Sequence, residues 1–245
     1  MHYPGKPVTH GGGLTRRRFL EGMALAVPGA ALLGCGASPP HAEFDAANAP
    51  GPQFLTKEEL AFVNAAIERL IPGDAKDPGA KDAGVATFID RQLSGPYGAA
   101  QTWYLKGPWP TGDAEQGYQS RFTPAQMYRV AIASIDAHCR KQFRKAFAAL
   151  DPKQRDDVLH GLEKGDIKLP DTSAKQFFEM LWNNTQQGFL ADPMYGGNRN
   201  FAGWKLVGFP GPRYNYTDEI EQYGKRYTMP TVGLRGGDPK EREHH

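Results

Sequence analysis

Thr123-Pro124-Ala125-Gln126-Met127-Tyr128-Arg129-Val130-Ala131-Ile132-Ala133-Ser134-Ile135 is the stretch on which the fold turns. Thr123 supplies an N-cap hydroxyl, and Gln126 stands where a capping box needs it. Pro124 suits the first helical position because its missing N–H would have no partner there. Met127, Val130, Ala131, Ser134, Ile135 and His138 then follow at helical spacing, and the same face continues to Phe143 and Phe147. The pattern predicts a long amphipathic helix. Asp151-Pro152-Lys153-Gln154 repeats the start signal, and the helix it opens runs through Val158, Leu159 and Leu162 to Gly165. Working outward, Thr56 and Glu59 form another capping box ahead of Leu60, Val63, Ile67 and Leu70, and Pro72 stops that run. A short helix is expected over 85–93, with Phe88 and Ile89, and another over 173–190, with Phe177, Leu181, Trp182 and Phe189 turned inward. Strand signals are almost absent. The fold class is mainly α: an irregular helical bundle with an aromatic, Gly/Pro-rich loop insertion and a wrapping C-terminal segment.

The insertion is the 94–122 stretch, where Gly95, Pro96, Gly107, Pro108, Pro110 and Gly112 forbid one regular element. It also carries Tyr97, Trp103, Tyr104, Trp109, Tyr118 and Phe122, so an ordered loop packed by its own rings is expected. Beyond Phe189, the rings of Tyr195, Phe201, Trp204, Phe209, Tyr214, Tyr216 and Tyr223 lie among glycines and prolines. Such rings are too apolar to leave in water. The chain's own helical core and a partner subunit are both open as the surface they cover.

The N-terminus reads differently. Thr15-Arg16-Arg17-Arg18-Phe19-Leu20 precedes a short apolar run over 22–33 and is similar to a twin-arginine export signal. Pro28 and Gly29 interrupt a run already shorter than the roughly 20 residues that span a bilayer. Arg16, Arg17, Phe19 and Leu20 are the expected signal residues, and the destination is the periplasm. Leu32-Leu33-Gly34-Cys35 resembles a lipobox, so Cys35 is either lipidated, holding the protein on a membrane surface, or removed by ordinary cleavage nearby. The expected organisation is 1–35 signal, 36–55 flexible tether and 56–245 a single helical domain. Setting aside the four basic and one acidic residues of the first 35 leaves 25 basic against 26 acidic residues. A near-neutral body without a basic stripe gives nucleic acid no footing.

Redox and hydrolytic motifs do not emerge. Cys35 and Cys139 are too few for an iron–sulfur cluster, and no C-x-x-C-H haem site occurs. Gly11-Gly12-Gly13 lies ahead of the signal and is no dinucleotide loop. G-x-S-x-G and H-E-x-x-H are lacking, and Asp136 and His138, two apart on a helix, do not share a face. His138 reads as a core-edge histidine, and Cys139 as a buried, inert thiol. No catalytic, cofactor or metal residue is assigned to this chain.

Asp192-Pro193-Met194-Tyr195-Gly196-Gly197-Asn198-Arg199, with Gly203-Trp204-Lys205 and Gly208-Phe209-Pro210-Gly211 after it, resembles the signature of the gluconate 2-dehydrogenase subunit 3 family. Gly107-Pro108-Trp109, Gly117-Tyr118-Gln119 and Thr123-Pro124 through Tyr128-Arg129 are similar to that family as well, although Trp109 departs from the Phe associated with its position. The resemblance covers nearly the whole mature chain. It implies a non-catalytic small subunit of a membrane complex with two cofactor-bearing partners. One is a large FAD-containing flavoprotein that oxidises a sugar or sugar acid; the other is a multihaem cytochrome c. FAD and haem c then belong to the partners, and this chain escorts the folded flavoprotein through the twin-arginine translocase.

Tyr195-Gly196-Gly197-Asn198 tolerates positive φ at successive positions and suits a tight loop approaching another chain. The interface residues expected on that reading are Tyr195, Gly196, Gly197, Asn198 and Arg199, with the aromatic anchors Trp109, Trp204 and Phe209. A competing reading is a stand-alone exported lipoprotein that binds a carbohydrate by stacking on Trp103, Trp109 or Trp204.

Overall fold

The computed structural model describes residues 51–110 and 116–237. The export residues Arg16, Arg17, Phe19 and Leu20, the cysteine Cys35 and the tether up to residue 50 lie outside the described residues. Helix α1 spans Lys57–Leu70, and its capping box is complete: Thr56 Oγ1 accepts from Glu59 N–H at 3.2 Å while Thr56 N–H donates to the Glu59 carboxylate at 2.9 Å. Its buried stripe is Phe62, Val63, Ala66 and Ile67, with Leu60 and Leu70 only half-buried. Helix α2 spans Val85–Ser94, α3 Pro124–Phe143, α4 Pro152–Lys164 and α5 Ala174–Leu190. Thr123, Asp151 and Ser173 cap α3, α4 and α5 through side-chain oxygens, and proline opens α3 and α4, as their sequences predict.

One expected element differs. The face running from Met127 to Phe147 is not one helix: α3 stops at Phe143 and Arg144 turns left-handed, with φ 62°. Phe147 instead enters the core from a 3₁₀ turn, Phe147–Ala149, and its N–H donates to Asp136 at 2.9 Å. The turn places the ring 4.6 Å from Phe62. Phe62, Phe177 and Tyr128 extend that aromatic chain at centroid distances of 6.4 and 5.4 Å. Each of these rings is essentially fully buried, which stabilises the fold by roughly 1.5–3 kcal/mol apiece.

Helices α1 and α5 are the hubs: α1 packs on α2, α3, α4 and α5, and α5 also packs on α2, α3 and α4. Gly188 permits the α2–α5 approach, since a Cβ there would sit 2.8 Å from Phe88 and 3.0 Å from Val85. The 94–122 insertion is fastened to this core by a buried polar chain. Tyr97 Oη donates to Asn184 at 3.0 Å, and Asn184 Nδ2 donates to Tyr128 Oη at 3.0 Å. Trp103 lies edge-on to both Tyr97 and Tyr118, 5.6 and 5.3 Å away, so the loop is packed by its own rings. The folded body takes hold at Gln53 rather than Thr56. The Asp90 carboxylate, buried on α2, accepts the backbone N–H groups of Gln53, Phe54 and Leu55 at 2.6, 3.0 and 2.8 Å. Arg129 lies over the Phe54 ring at 4.2 Å, donates to the Phe54 carbonyl at 2.7 Å and pairs with Glu59.

After α5 the chain makes two 3₁₀ turns, Pro193–Tyr195 and Arg199–Phe201, and a short helix α6, Ala202–Val207. It then runs to an antiparallel pair of strands that the sequence did not suggest, β1 (Val232–Gly233) and β2 (Gly236–Gly237).

Candidate partner interface

The segment from Asp192 to Gly211 behaves as a clasp over the end of α5. Asp192 starts it by accepting the Met194 N–H at 3.0 Å, and its second oxygen accepts the N–H of Leu234 from the terminal hairpin at 2.7 Å. Gly196 adopts φ 101°, open to glycine at little cost, and turns the backbone onto the helix. Gly197 and Gly203 pass so close to α5 that a Cβ would lie 2.1 Å from the Gly188 carbonyl oxygen and 2.0 Å from that of Phe189. The close backbone approach predicted for this glycine run is therefore made to the chain's own α5.

Asn198 is completely buried and left-handed, and it bridges the clasp: its Nδ2 donates to Ala191 O at 2.8 Å and its Oδ1 accepts from Gly203 N–H at 2.8 Å. Arg199 turns inward as well. Its backbone N–H donates to Ala83 O at 3.0 Å and its guanidinium to Thr87 Oγ1 at 3.0 Å. Desolvation, with the positive Arg91 nearby, lowers its pKa from the ordinary arginine value. Trp204 is 6% exposed, its Nε1 donates to Leu190 O at 2.7 Å, and its ring stacks on Phe201 at 5.4 Å. Thus Gly196, Gly197, Asn198, Arg199 and Trp204, expected as partner-facing, hold the clasp to its own core.

The outward residues of the expected set are Tyr195, 46% exposed, Phe209, 42% exposed and edge-on to Trp204 at 4.9 Å, and Trp109, whose ring packs on Gly107. Tyr195 lines a shallow, open depression of about 670 Å³ with Phe88 and Gln92 of α2 and Gln186, Gln187 and Leu190 of α5. No Asp, Glu, Lys or Arg lines it. With three amides and no ionised group in its lining, the depression suits an uncharged occupant that offers hydrogen-bond partners beside its apolar surface. Of the three tryptophans that a sugar could stack on, Trp204 is buried and Trp103 is half-buried between Tyr97 and Tyr118; Trp109 stays exposed.

Sequence reasoning did not find Asp90, Arg129 or Asp192 as anchors. Asp90 carried a readable signal, an acid placed beside Phe88 and Ile89 in a short apolar helix. The bonds of Arg129 to Phe54 O and of Asp192 to Leu234 N–H join residues 75 and 42 apart in the chain and left no local trace. Among the described residues, no cluster of three or more His, Cys, Asp or Glu could hold a metal, and no helix is long and apolar enough to cross a membrane.

No curated protein and no solved structure matches significantly. Residues 57–211, which run from the first turn of α1 to the end of the clasp, match the family described as gluconate 2-dehydrogenase subunit 3. The capped helices, the aromatic insertion and the glycine clasp all fall within that span, and the chain belongs to the gluconate 2-dehydrogenase subunit 3 family.

Proposed function

We propose that this chain is the non-catalytic small subunit of an FAD-dependent, gluconate 2-dehydrogenase-like membrane complex, and that it serves export and assembly of the flavoprotein subunit. Family membership supports association with the other subunits of a dehydrogenase. The observation that carries the reading further is the clasp. Its buried members lock it onto α5 and leave Tyr195 and Phe209 partly exposed, Tyr195 lining an uncharged, open depression. Rigid aromatics at an apolar depression are the usual anchors of a protein interface.

On this proposal FAD and haem c reside in the partners, a large flavoprotein and a multihaem cytochrome c. The Arg16-Arg17 signal carries the flavoprotein, already folded, across the membrane through the twin-arginine translocase. The assembled complex stays on the periplasmic membrane surface, helped by Cys35 if that residue is lipidated. The test is affinity purification of the chain from its native cell envelope, with mass spectrometry and an absorbance spectrum. A flavoprotein and a c-type cytochrome in defined ratio is the expected result; a colourless, solitary protein refutes the proposal and favours the ligand-binding lipoprotein.

A further inference from the structure

The folded body is near charge balance, but its charge is not evenly placed. Between Asp136 and Asp151 the chain holds Arg140, Lys141, Arg144 and Lys145 and no acid. All four are exposed, at the C-terminal end of α3 and in the left-handed turn that follows it. Arg140 reaches Asp136 at 3.3 Å; among the described residues no carboxylate pairs with Lys141, Arg144 or Lys145. The Asp151 carboxylate is turned away to the Gln154 N–H at 2.9 Å as the cap of α4. The helix dipole favours cations in the last turn, which accounts for Arg140 and Lys141 and does not require the two that follow. The cluster continues an exposed face of α3. Arg144 N–H still donates to Arg140 O at 3.1 Å, so Arg144 stands one turn beyond Arg140, and Lys141 lies about 100° round the helix from Arg140. The exposed positions Gln126, Arg129, Ala133, Ala137 and Arg140 recur every three or four residues and carry that face back along the helix. Arg129 and Arg140 are about three turns, or about 16 Å, apart. Arg129 is the residue that holds Phe54, where the N-terminal segment joins the body.

We propose that this face of α3 rests on an anionic lipid surface, with Arg140, Lys141, Arg144 and Lys145 meeting the phosphate headgroups. The inference rests on the periplasmic, membrane-surface reading above. Clustered Lys and Arg side chains are drawn to anionic headgroups over about a Debye length and need no shaped pocket there. Two features favour a bilayer over an acidic protein face. The chain that leads back to the export signal, with Cys35 lying 18 residues before Gln53, joins the body beside Arg129, on the same face of the helix as the cluster. Between those two ends the exposed positions of α3 are Ala133 and Ala137, and no exposed position on the helix is an aromatic or a large apolar residue. The face therefore lacks the anchors on which a protein interface depends, while its charge suits a flat anionic surface.

The test is cosedimentation of the chain, purified from the native cell envelope, with vesicles of phosphatidylcholine alone and of phosphatidylcholine containing about one third phosphatidylglycerol. An acyl chain at Cys35 enters both vesicles alike, so the ratio of the two affinities reads the charge. The chain should prefer the anionic vesicles, and the preference should fall steeply as salt rises from about 0.05 M to about 0.5 M. The Lys141→Gln, Arg144→Gln, Lys145→Gln variant should melt like the parent, because all three residues are exposed. It should lose roughly tenfold to a hundredfold of the preference, since each cation near an anionic surface strengthens binding about fivefold. Equal affinity of the parent for both vesicles, or a preference that salt leaves unchanged, overturns the proposal and leaves the subunit reading standing, because that reading is tested by flavoprotein capture. A variant that keeps the whole preference overturns it too. A variant that binds both vesicles like the parent but captures less flavoprotein assigns the cluster to the protein partner and overturns the proposal.

Discussion

Replacing Trp204 by Ala separates a clasp held by its own core from one held by a partner. Trp204 is 6% exposed, stacks on Phe201 at 5.4 Å, meets Phe209 at 4.9 Å and donates to Leu190 O at 2.7 Å. Truncating a large buried aromatic costs about 3–5 kcal/mol, from lost burial and the cavity left behind. The lost indole N–H bond to Leu190 O adds about 0.5–1.5 kcal/mol. A domain of this size shifts about 2–4 °C per kcal/mol, so the melting temperature of isolated Trp204→Ala should fall by roughly 7–26 °C. Trp204→Phe keeps a ring on Phe201 but forfeits the hydrogen bond and leaves a smaller cavity, and should lose about 1–3 kcal/mol, less than Trp204→Ala. Phe209→Ala, at 42% exposure, removes the edge contact with Trp204 and should cost about 1–2 kcal/mol, less than Trp204→Ala, while weakening flavoprotein capture. The assay is thermal unfolding of the isolated chain, followed by circular dichroism, with capture measured alongside. A Trp204→Ala protein that melts like the parent but no longer captures the flavoprotein would refute the reasoning and return Trp204 to the interface.

Three further outcomes follow from the same contacts. Asp90→Ala strands the N–H groups of Gln53, Phe54 and Leu55, and should destabilise by about 2–4 kcal/mol and open the chain near residue 53 to limited proteolysis. Asn184→Ala leaves the buried Tyr128 hydroxyl and the Tyr97 hydroxyl without their shared partner, at about 1–3 kcal/mol, and amide hydrogen exchange in the 94–122 insertion should accelerate. Burial pushes the Cys139 thiol up to about 11 from 9.0, so the folded state holds its proton where the unfolded chain has lost it. Stability should therefore decline as pH rises from about 9 to 11, by up to roughly 2–3 kcal/mol, and Cys139→Ala should flatten that part of the urea-midpoint profile. Tyr97, Tyr118 and Tyr128, whose pKa values burial also raises, add to the decline at higher pH and remain in the variant.

Helix placement was legible because each start is a local event. Thr56, Thr123, Asp151 and Ser173 cap within three residues of themselves, and proline or left-handed glycine marks boundaries without reference to the rest of the chain. The mainly α class and the aromatic insertion followed from those signals. The motif that carries the family resemblance could likewise be read residue by residue. What the glycines of that motif approach could not. Gly197 and Gly203 announce a close backbone contact, yet only the fold brings the Gly188 and Phe189 carbonyls beneath them.

The break at Arg144 depended on a long-range gain, since Phe147 leaves the helical face to meet Phe62, a residue 85 positions earlier. Nor could composition divide the aromatic C-terminal third. Trp204 and Phe201 are buried against α5 and its carbonyl ends, whereas Tyr214 and Tyr223 are exposed, although both pairs sit among similar glycines and prolines. Local sequence determines where backbone hydrogen bonds can begin and end. Which rings lose their water depends on segments distant in the chain arriving at the same place, and tertiary structure alone decided that.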